Sequence, residues 1–406
     1  MNKYRFQMTS SNVKVLVFAY YSFNDPIFQS AVLPYLKLVK NNRISFILLT
    51  WEQKEYSVDR RKLKAIRENL NHYNITWYKM SWHSGRFKII KKVYDFLVGV
   101  CFSIYLILKN SCTKIYSEGF PGATIGHYLS LITGRAHIIH TFEPHADYMM
   151  ESGVWSNNSW EYRLLKKLEI PIANNAEHII TATNAFRKKL KKIAPIAKVW
   201  NIPSCVDFSI YKYNVEKRAQ KRKELGIRNN ETLIVYMGKV GGMYMKEELF
   251  QFFKRCDEMK RFKMKYLLLS DLDNELLKNF CDKYMIPSNK FILKYASREE
   301  ISSYLSASDI AFCGIKPIPA RRYSSPIKNG EYWACGLPII IPKGISDDYI
   351  IAEKLSIGFW YKSIEDISEN KISYLLGLER EAIREKAKDV RDIDKYKKIF
   401  SSFFSE

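Results

Sequence analysis

The chain has 406 residues, 47% of them apolar, and its 65 Lys and Arg against 42 Asp and Glu give a formal net charge of +23. That length and apolar share bury a sizeable core in two domains or one large one, and the charge calls for an anionic partner: nucleic acid, a phospholipid surface or a phosphorylated substrate. The seven cysteines are scattered and form no CxxC pair, which argues against a disulfide framework or a zinc site and for a reducing, cytoplasmic compartment.

The opening MNKYRFQMTSSNVKVLVFAYYSF lacks a signal peptide's long apolar core and small-residue cleavage site, so export is not expected. Strand-like apolar runs at 13–19, 44–50, 114–116, 137–142 and 178–182 alternate with helix-like stretches at 26–40, 60–71, 88–109, 122–132 and 159–169. This βαβα rhythm predicts a mostly parallel sheet covered on both faces, with binding sites beyond the C-terminal ends of its strands. The apolar stretch 93–109 is interrupted by Asp95 and is shorter than the roughly 20 residues that span a bilayer; it is predicted as a buried or interfacial helix, with burial in the domain preferred over membrane contact because the run is apolar nearly all round. The basic runs RRKLKAIR (60–67), RFKIIKK (86–92) and FRKKLKK (186–192) read either as solvated helix faces or as docking surfaces for anionic lipid headgroups.

Three loops in this half follow predicted strands. YYSFNDPIFQ carries Asp25 and Gln29, SEGFPG carries Glu118, and HTFEPHAD carries Glu143, His145 and Asp147. A strand ending at Phe142 delivers that last group to the sheet's C-terminal edge, where an acid, base or hydrogen-bonding group would face a cleft. The spacing of His140, His145 and Asp147 matches no zinc signature, and no metal site is expected. Asp25, Gln29 and Glu118 are equally readable as turn and capping residues.

Periodicity lapses at VWNIPSCVDFSIYKYN, which places a domain boundary near residue 205, ahead of a charged helix at about 215–225. Strands follow at 232–237, 265–270, 290–293, 310–313 and 338–341. The expected architecture is therefore α/β, two Rossmann-like doubly wound domains facing across a cleft: 1–204, 205–378, and a helical segment 379–406 packing back on the first domain. The Asp-x-Asp of SDLDN (270–274) reads as loop and capping chemistry.

Two stretches of the second half carry chemistry. In LIVYMGKVGGMYMKEELF a buried strand runs into a loop where Gly238, Gly241 and Gly242 let the backbone approach a ligand and where Lys239 and Lys246 can neutralise a diphosphate. Glycine also serves tight strand-to-helix turns that bind nothing, and the Gly-Lys-Ser/Thr ending of a P-loop is missing. In SSPIKNGEYWACGLPIII, Ser325 reads as an N-cap, Pro326 as the first helical residue and Gly336 as the left-handed residue that ends the helix. Lys328 and Glu331 then share one face near an anion-attracting helix N-terminus. Lysines and amides suit a diphosphate, and the Glu331 carboxylate can accept from two ribose hydroxyls.

With Pro326, Lys328, Glu331, Tyr332, Ala334, Gly336 and Pro338 in PIKNGEYWACGLPI, MGKVGG and Lys246, and YASREEISSYLSASDIAF between them, residues 200–350 resemble the nucleotide-binding domain of GT-B glycosyltransferases, in particular the retaining family four. The resemblance implies that Glu331 binds the ribose and that Lys239 and Lys246 clamp the diphosphate of a nucleotide sugar, the co-substrate, with no cofactor and no metal. The family commonly has a second glutamate eight positions earlier, near the donor sugar; here that position is Tyr323, after Arg321 and Arg322, which are candidates for the sugar or phosphate. Relatives often place a histidine just after the strand that here ends at Phe142, and either Glu143 or His145 is expected at the catalytic centre. Acceptors in that fold bind the first domain, which makes Asp25, Gln29 and Glu118 candidates to touch one.

The resulting expectation is transfer of a sugar, with retention, to a lipid-linked saccharide used in a surface polysaccharide, by a protein at the inner face of the cytoplasmic membrane. An epimerase on the same scaffold is the rival within enzymes. A nucleic-acid binder is the rival outside them, although no nucleic-acid module is recognisable and the aromatics are spread through core-like segments. A two-lobed ligand receptor would ordinarily be exported.

Overall fold

The computed structural model describes residues 12–39, 43–83 and 88–405, apart from the side chains of 88, 89 and 92. Part of the basic run 86–92 thus lies outside the described residues. The first sheet comprises β1 (Val13–Ala19), β2 (Ile44–Glu52), β3 (Ile75–Ser81), β4 (Lys114–Glu118), β5 (Ala136–Thr141), β6 (His178–Thr181) and β7 (Lys198–Asn201). Their order is β3-β2-β1-β4-β5-β6-β7, all parallel. The second comprises β8 (Glu231–Met237), β9 (Lys263–Leu269), β10 (Phe291–Lys294), β11 (Ile310–Phe312), β12 (Ile339–Pro342) and β13 (Gly358–Tyr361), in the order β10-β9-β8-β11-β12-β13, again all parallel.

Central strands such as β1 (VKVLVFA) are apolar along their length because helices cover both faces. The strands absent from the sequence reading are β3, β7 and β13, all at sheet edges. In β3 and β7 polar or exposed residues, as in KVWN of β7, leave no continuous apolar run to find, whereas β13 (GFWY) is apolar but only four residues long and opens on glycine. In each sheet the winding direction reverses, between β1 and β4 and between β8 and β11. A crevice opens beyond the strand ends at such a reversal.

The chain passes between the two units twice, side by side. Val206 N–H donates to Arg391 O at 2.9 Å and Ile393 N–H donates to Val206 O at 3.1 Å. The segment 379–406 divides at this crossing. Its helix Arg380–Arg391 buries Ile383 and Ala387 in the second domain's core, while Lys397–Ser405 places Phe400, Phe403 and Phe404 in the first. Packing back on the first domain is therefore confined to the last helix. The earlier one is held where it is because Arg384 donates to the carbonyls of Phe208, Tyr211 and Ala334.

The apolar stretch 93–109 forms the helix Lys88–Asn110, and of the two readings the sequence allowed, buried or interfacial, burial all round does not hold. Leu106, Ile107, Ser103 and Asp95 face the core, whereas Ile90, Leu97 and Leu108 are 68%, 58% and 67% exposed. A helix laid on a sheet has one face to bury, and among the described residues nothing packs on the other. Asp95 is accommodated inside by the N–H and ring Nδ1 of His83.

Candidate functional site

The second domain's site begins where β8 ends. Met237 N–H donates to the Tyr332 hydroxyl at 3.0 Å, which ties the strand end to the helix Ile327–Ala334. Gly238 follows at φ +148° and Gly241 at +91°, conformations open to glycine. A Cβ at Gly238 would lie 2.6 Å from Lys328 Nζ. The ammonium thus already occupies the approach to the strand-end backbone, and it also lies 4.7 Å from the centre of the Tyr244 ring. Tyr244 is held there by its bridge to Ile315, just beyond β11.

Ser325 does not cap the helix. Its Oγ accepts from Ser204 N–H at 3.2 Å and from Arg391 at 2.6 Å, so it locks the interdomain crossing, and Pro326 occupies the cap position with no side-chain cap bond. The helix N-terminus consequently keeps its charge complementarity for an external anion. Gly336 has φ +68° and ends the helix as its place in the sequence indicated. Glu331 is buried, and burial raises its pKa against a Tyr211 hydrogen bond and the nearby Lys328 and Arg298. A cavity of about 530 Å³ opens beside it, with Tyr211 and Arg298 on its wall. Arg298 also donates to Gln29 O, at 2.9 Å, across the interdomain gap.

Of the two loop lysines, both exposed, Lys246 carries its Nζ 5.8 Å above the Phe280 ring and Lys239 offers its carbonyl to Tyr236. Lys328 is the lysine that lines the cleft. Arg321 is buried at the cleft, its guanidinium 4.6 Å from the Tyr148 ring centre, while Arg322 is exposed over Tyr323. Tyr323 lies outside the cleft lining, its carbonyl bonded to Thr183 and its ring packed on Phe186. Asp273 of SDLDN caps the helix Asn274–Tyr284, and the described residues contain no cluster of three or more His, Cys, Asp or Glu arranged for a metal.

Across the cleft, a cavity of about 420 Å³ brings Glu118, Glu143 and His145 of the first domain opposite Lys328, Ser325 and Arg321 of the second. His145 opens a helix, His145–Glu151, where the sequence suggested a loop. That helix is fixed to the second domain by Ala320 N–H donating to Glu151 at 2.5 Å. His145 Nδ1 lies 3.9 Å from Glu143 Oε1. Burial pushes the Glu143 carboxyl up to about 7, held back by Arg321, and pushes the His145 imidazole down to about 4. At neutral pH the histidine is uncharged and the carboxyl is close to half-ionised.

Glu118 ends β4 at 1% exposure. Its Oε1 accepts from the Tyr116 hydroxyl at 2.6 Å and lies 3.3 Å from His140 Nδ1, whereas Oε2 is buried with no partner among the described residues. Asp25 instead caps the next segment, accepting from Ile27 N–H at 2.7 Å, and Gln29 donates to Phe23 O at 2.7 Å. Asp25 therefore stays out of both cavities, while Gln29 reaches only the one beside Glu331. Tyr211 and Tyr148 are the site residues that sequence reasoning missed, because aromatic residues outside a motif look like core. Arg298 stood in the YASREE stretch without a role.

Residues 217–390 match the family model for glycosyl transferases group 1. No curated protein matches the chain in sequence. Among solved structures, the chain is similar to Anabaena HepE in complex with UDP-glucose, at TM-score 0.69 and 13% identity over 97% of this chain and 99% of that one. It is similar to sucrose-phosphate synthase from Thermosynechococcus elongatus, at TM-score 0.71 and 12% identity over 97% and 98%. It is also similar to the lipopolysaccharide outer core galactosyltransferase WaaB, at TM-score 0.65 and 9% identity over 97% and 99%. The GT-B architecture is common to all three.

Proposed function

We propose, from the premise that the chain is a glycosyltransferase carrying a group 1 glycosyl transferase domain over residues 217–390, that it moves a sugar from a nucleoside diphosphate sugar to the hydroxyl of a lipid-linked saccharide. The observation that carries this reading is the pairing at one switch point of an ammonium and a carboxylate. Lys328 lies against the Gly238 backbone, and the buried Glu331 is one helical turn further on, beside a nucleoside-sized cavity. The diphosphate would meet Lys328, the uncapped helix N-terminus and the open backbone at Gly238 and Gly241, while Glu331 accepts from the ribose hydroxyls. Lys239 and Lys246 sit on the same loop, exposed and on flexible stems, and can swing to the outer phosphate oxygens.

In the cleft, charge develops on the leaving diphosphate, where Lys328 and the helix N-terminus stabilise it. Glu143 receives a hydrogen bond from the attacking hydroxyl, the neutral His145 beside it adds no charge, and Arg321 lies on the phosphate side. The orphan Oε2 of Glu118 takes a second acceptor hydroxyl, which would satisfy a buried polar atom that otherwise lacks a partner. We read the outcome as retention, with the departing phosphate taking the proton. HepE is described in complex with UDP-glucose, which favours a uridine donor, and the name of WaaB favours an acceptor of the surface-polysaccharide class, at the cytoplasmic face of the membrane.

The test is thermal stability of the wild type and Glu331→Ala against uridine, guanosine and adenosine diphosphates and their sugars, since a ligand of the native state raises the melting temperature. A shift with one base that is lost in the variant supports the reading. No shift with any of them refutes it.

A further inference from the structure

We propose that the helix Lys88–Asn110 lies flat on an anionic phospholipid bilayer, its outer face seated at the boundary between headgroups and acyl chains. This inference deepens the lipid-linked acceptor reading but rests on the helix alone and not on the donor site. Ile90, Tyr94, Leu97, Cys101, Tyr105 and Leu108 recur at intervals of three and four, so they form one stripe along the helix, and all are exposed. Apart from the His83 ring edge-on to Tyr94 and Lys109 over the Tyr105 ring, no element among the described residues packs on them. Exposed Leu131 and Ile132 extend the apolar surface on the helix Gly119–Thr133, which packs alongside.

The charges around the stripe select the occupant. Lys91 and Lys109 are eighteen residues apart and thus about five turns, so they border the same edge of the stripe near its two ends. The helix has a single acid, Asp95, and that residue is turned inward onto His83. An apolar stripe with lysines along one margin and no exposed carboxylate on its helix matches an acidic lipid surface. The helix lies on the membrane and does not cross it, because Ser103, Leu106 and Ile107 on its other face are built into the first domain.

A short chain of contacts also links the cleft wall to the inward face of this helix. Tyr20 lines the cleft cavity and packs its ring 4.8 Å from that of Trp82, and the next residue, His83, is bound to Asp95 near the helix start.

Cys101 is the exposed cysteine and the other six are buried, so the full-length protein can be labelled there with an environment-sensitive fluorophore. The label is read with vesicles of phosphatidylcholine alone and of phosphatidylcholine mixed with phosphatidylglycerol. The expected result is a blue-shifted emission with the mixed vesicles, with apparent affinity at least about tenfold above that for phosphatidylcholine alone. Unlabelled wild type should float with the mixed vesicles, and Leu97→Glu with Leu108→Glu should cut the floating fraction about tenfold while leaving melting temperature and nucleotide response unchanged. An unshifted label, equal binding to both vesicle types, or flotation unaffected by the substitutions would overturn the proposal. So would sedimentation showing a dimer of the wild type that the double variant dissociates, since a second copy would then be what covers the face. Failure of the nucleotide response alone would count against the donor reading and leave this one standing.

Discussion

Lys328 Nζ stands 2.6 Å from where a side chain would begin at Gly238, so a lysine on one helix and a glycine at the end of one strand share a single space. The proposed phosphate site depends on that glycine having no side chain. Gly238→Ala should displace the ammonium and strain a backbone at φ +148°. We expect nucleoside diphosphate affinity to fall by about tenfold or more, and unfolding free energy by about 1 kcal/mol. Titration calorimetry and urea unfolding read the two separately. Affinity equal to the wild type would show that Lys328 is not a phosphate ligand.

On the proposed function, Glu331 serves binding at a cost to folding. Burial raises its pKa above the ordinary carboxylate value, so at neutral pH its ionisation destabilises the native state. Glu331→Gln should therefore melt no lower than the wild type without ligand, and higher if the Tyr211 bond survives, yet lose most of the melting shift caused by nucleotide. A variant that melts lower and responds normally to nucleotide would assign Glu331 to structure alone.

Glu143 and His145 should pull the pH dependence of stability in opposite directions. The Glu143 pKa is raised in the folded state, to about 7, so its contribution is full at low pH and is lost as pH rises from the ordinary carboxylate range through about 7. The His145 pKa is depressed, to about 4, so its contribution is absent at acid pH and recovered as pH rises from about 4 to 6.5. Over the shared window the two slopes cancel. Glu143→Gln should leave stability rising with pH and more stable at pH 8 by up to about 3 kcal/mol, whereas His145→Asn should leave it falling. Melting curves between pH 4 and pH 8 make the comparison, and parallel profiles for the two variants would contradict it. If Glu143 also receives the attacking hydroxyl, Glu143→Gln should flatten any rise of the transfer rate through neutral pH.

Arg391 should be the most costly single truncation at the interdomain crossing. Its side chain is fully buried, pairs with Asp348, and donates to Ser204 O at 2.7 Å and to Ser325 Oγ at 2.6 Å. Arg391→Ala leaves Asp348 with only Asn329, at 2.8 Å, inside the protein. A loss of about 3–5 kcal/mol in unfolding free energy is expected. Removing both charges, as Arg391→Met with Asp348→Leu, should recover a good part of it. A loss under about 1 kcal/mol for Arg391→Ala would mean that the pair is hydrated.

The central strands were legible because burial on both faces demands continuous apolar runs such as VKVLVFA, and the edge strands β3 and β7 were not, because they carry no such demand, while β13 (GFWY) is apolar but short and opens on glycine. The candidate donor elements were legible for a local reason: the places of Gly238, Gly336, Lys328 and Glu331 follow from backbone conformation and helical spacing, and both are written in neighbouring residues. Ser325 shows the limit of that logic. Serine before proline looks like an N-cap, but Ser204 and Arg391, distant in sequence, claim its hydroxyl first.

The sequence by itself determined two doubly wound domains, the glycine loop and the helix that carries Lys328 and Glu331, since periodicity and capping are properties of short segments. The tertiary structure alone decided that Tyr211 and Arg298 stand by Glu331, that Glu143 and His145 face Arg321 and Lys328 across a cleft, and that one face of Lys88–Asn110 is left uncovered. Which polar group is desolvated, and which apolar face finds no partner, depends on segments far apart in the chain, and no window of sequence contains both sides of such a contact.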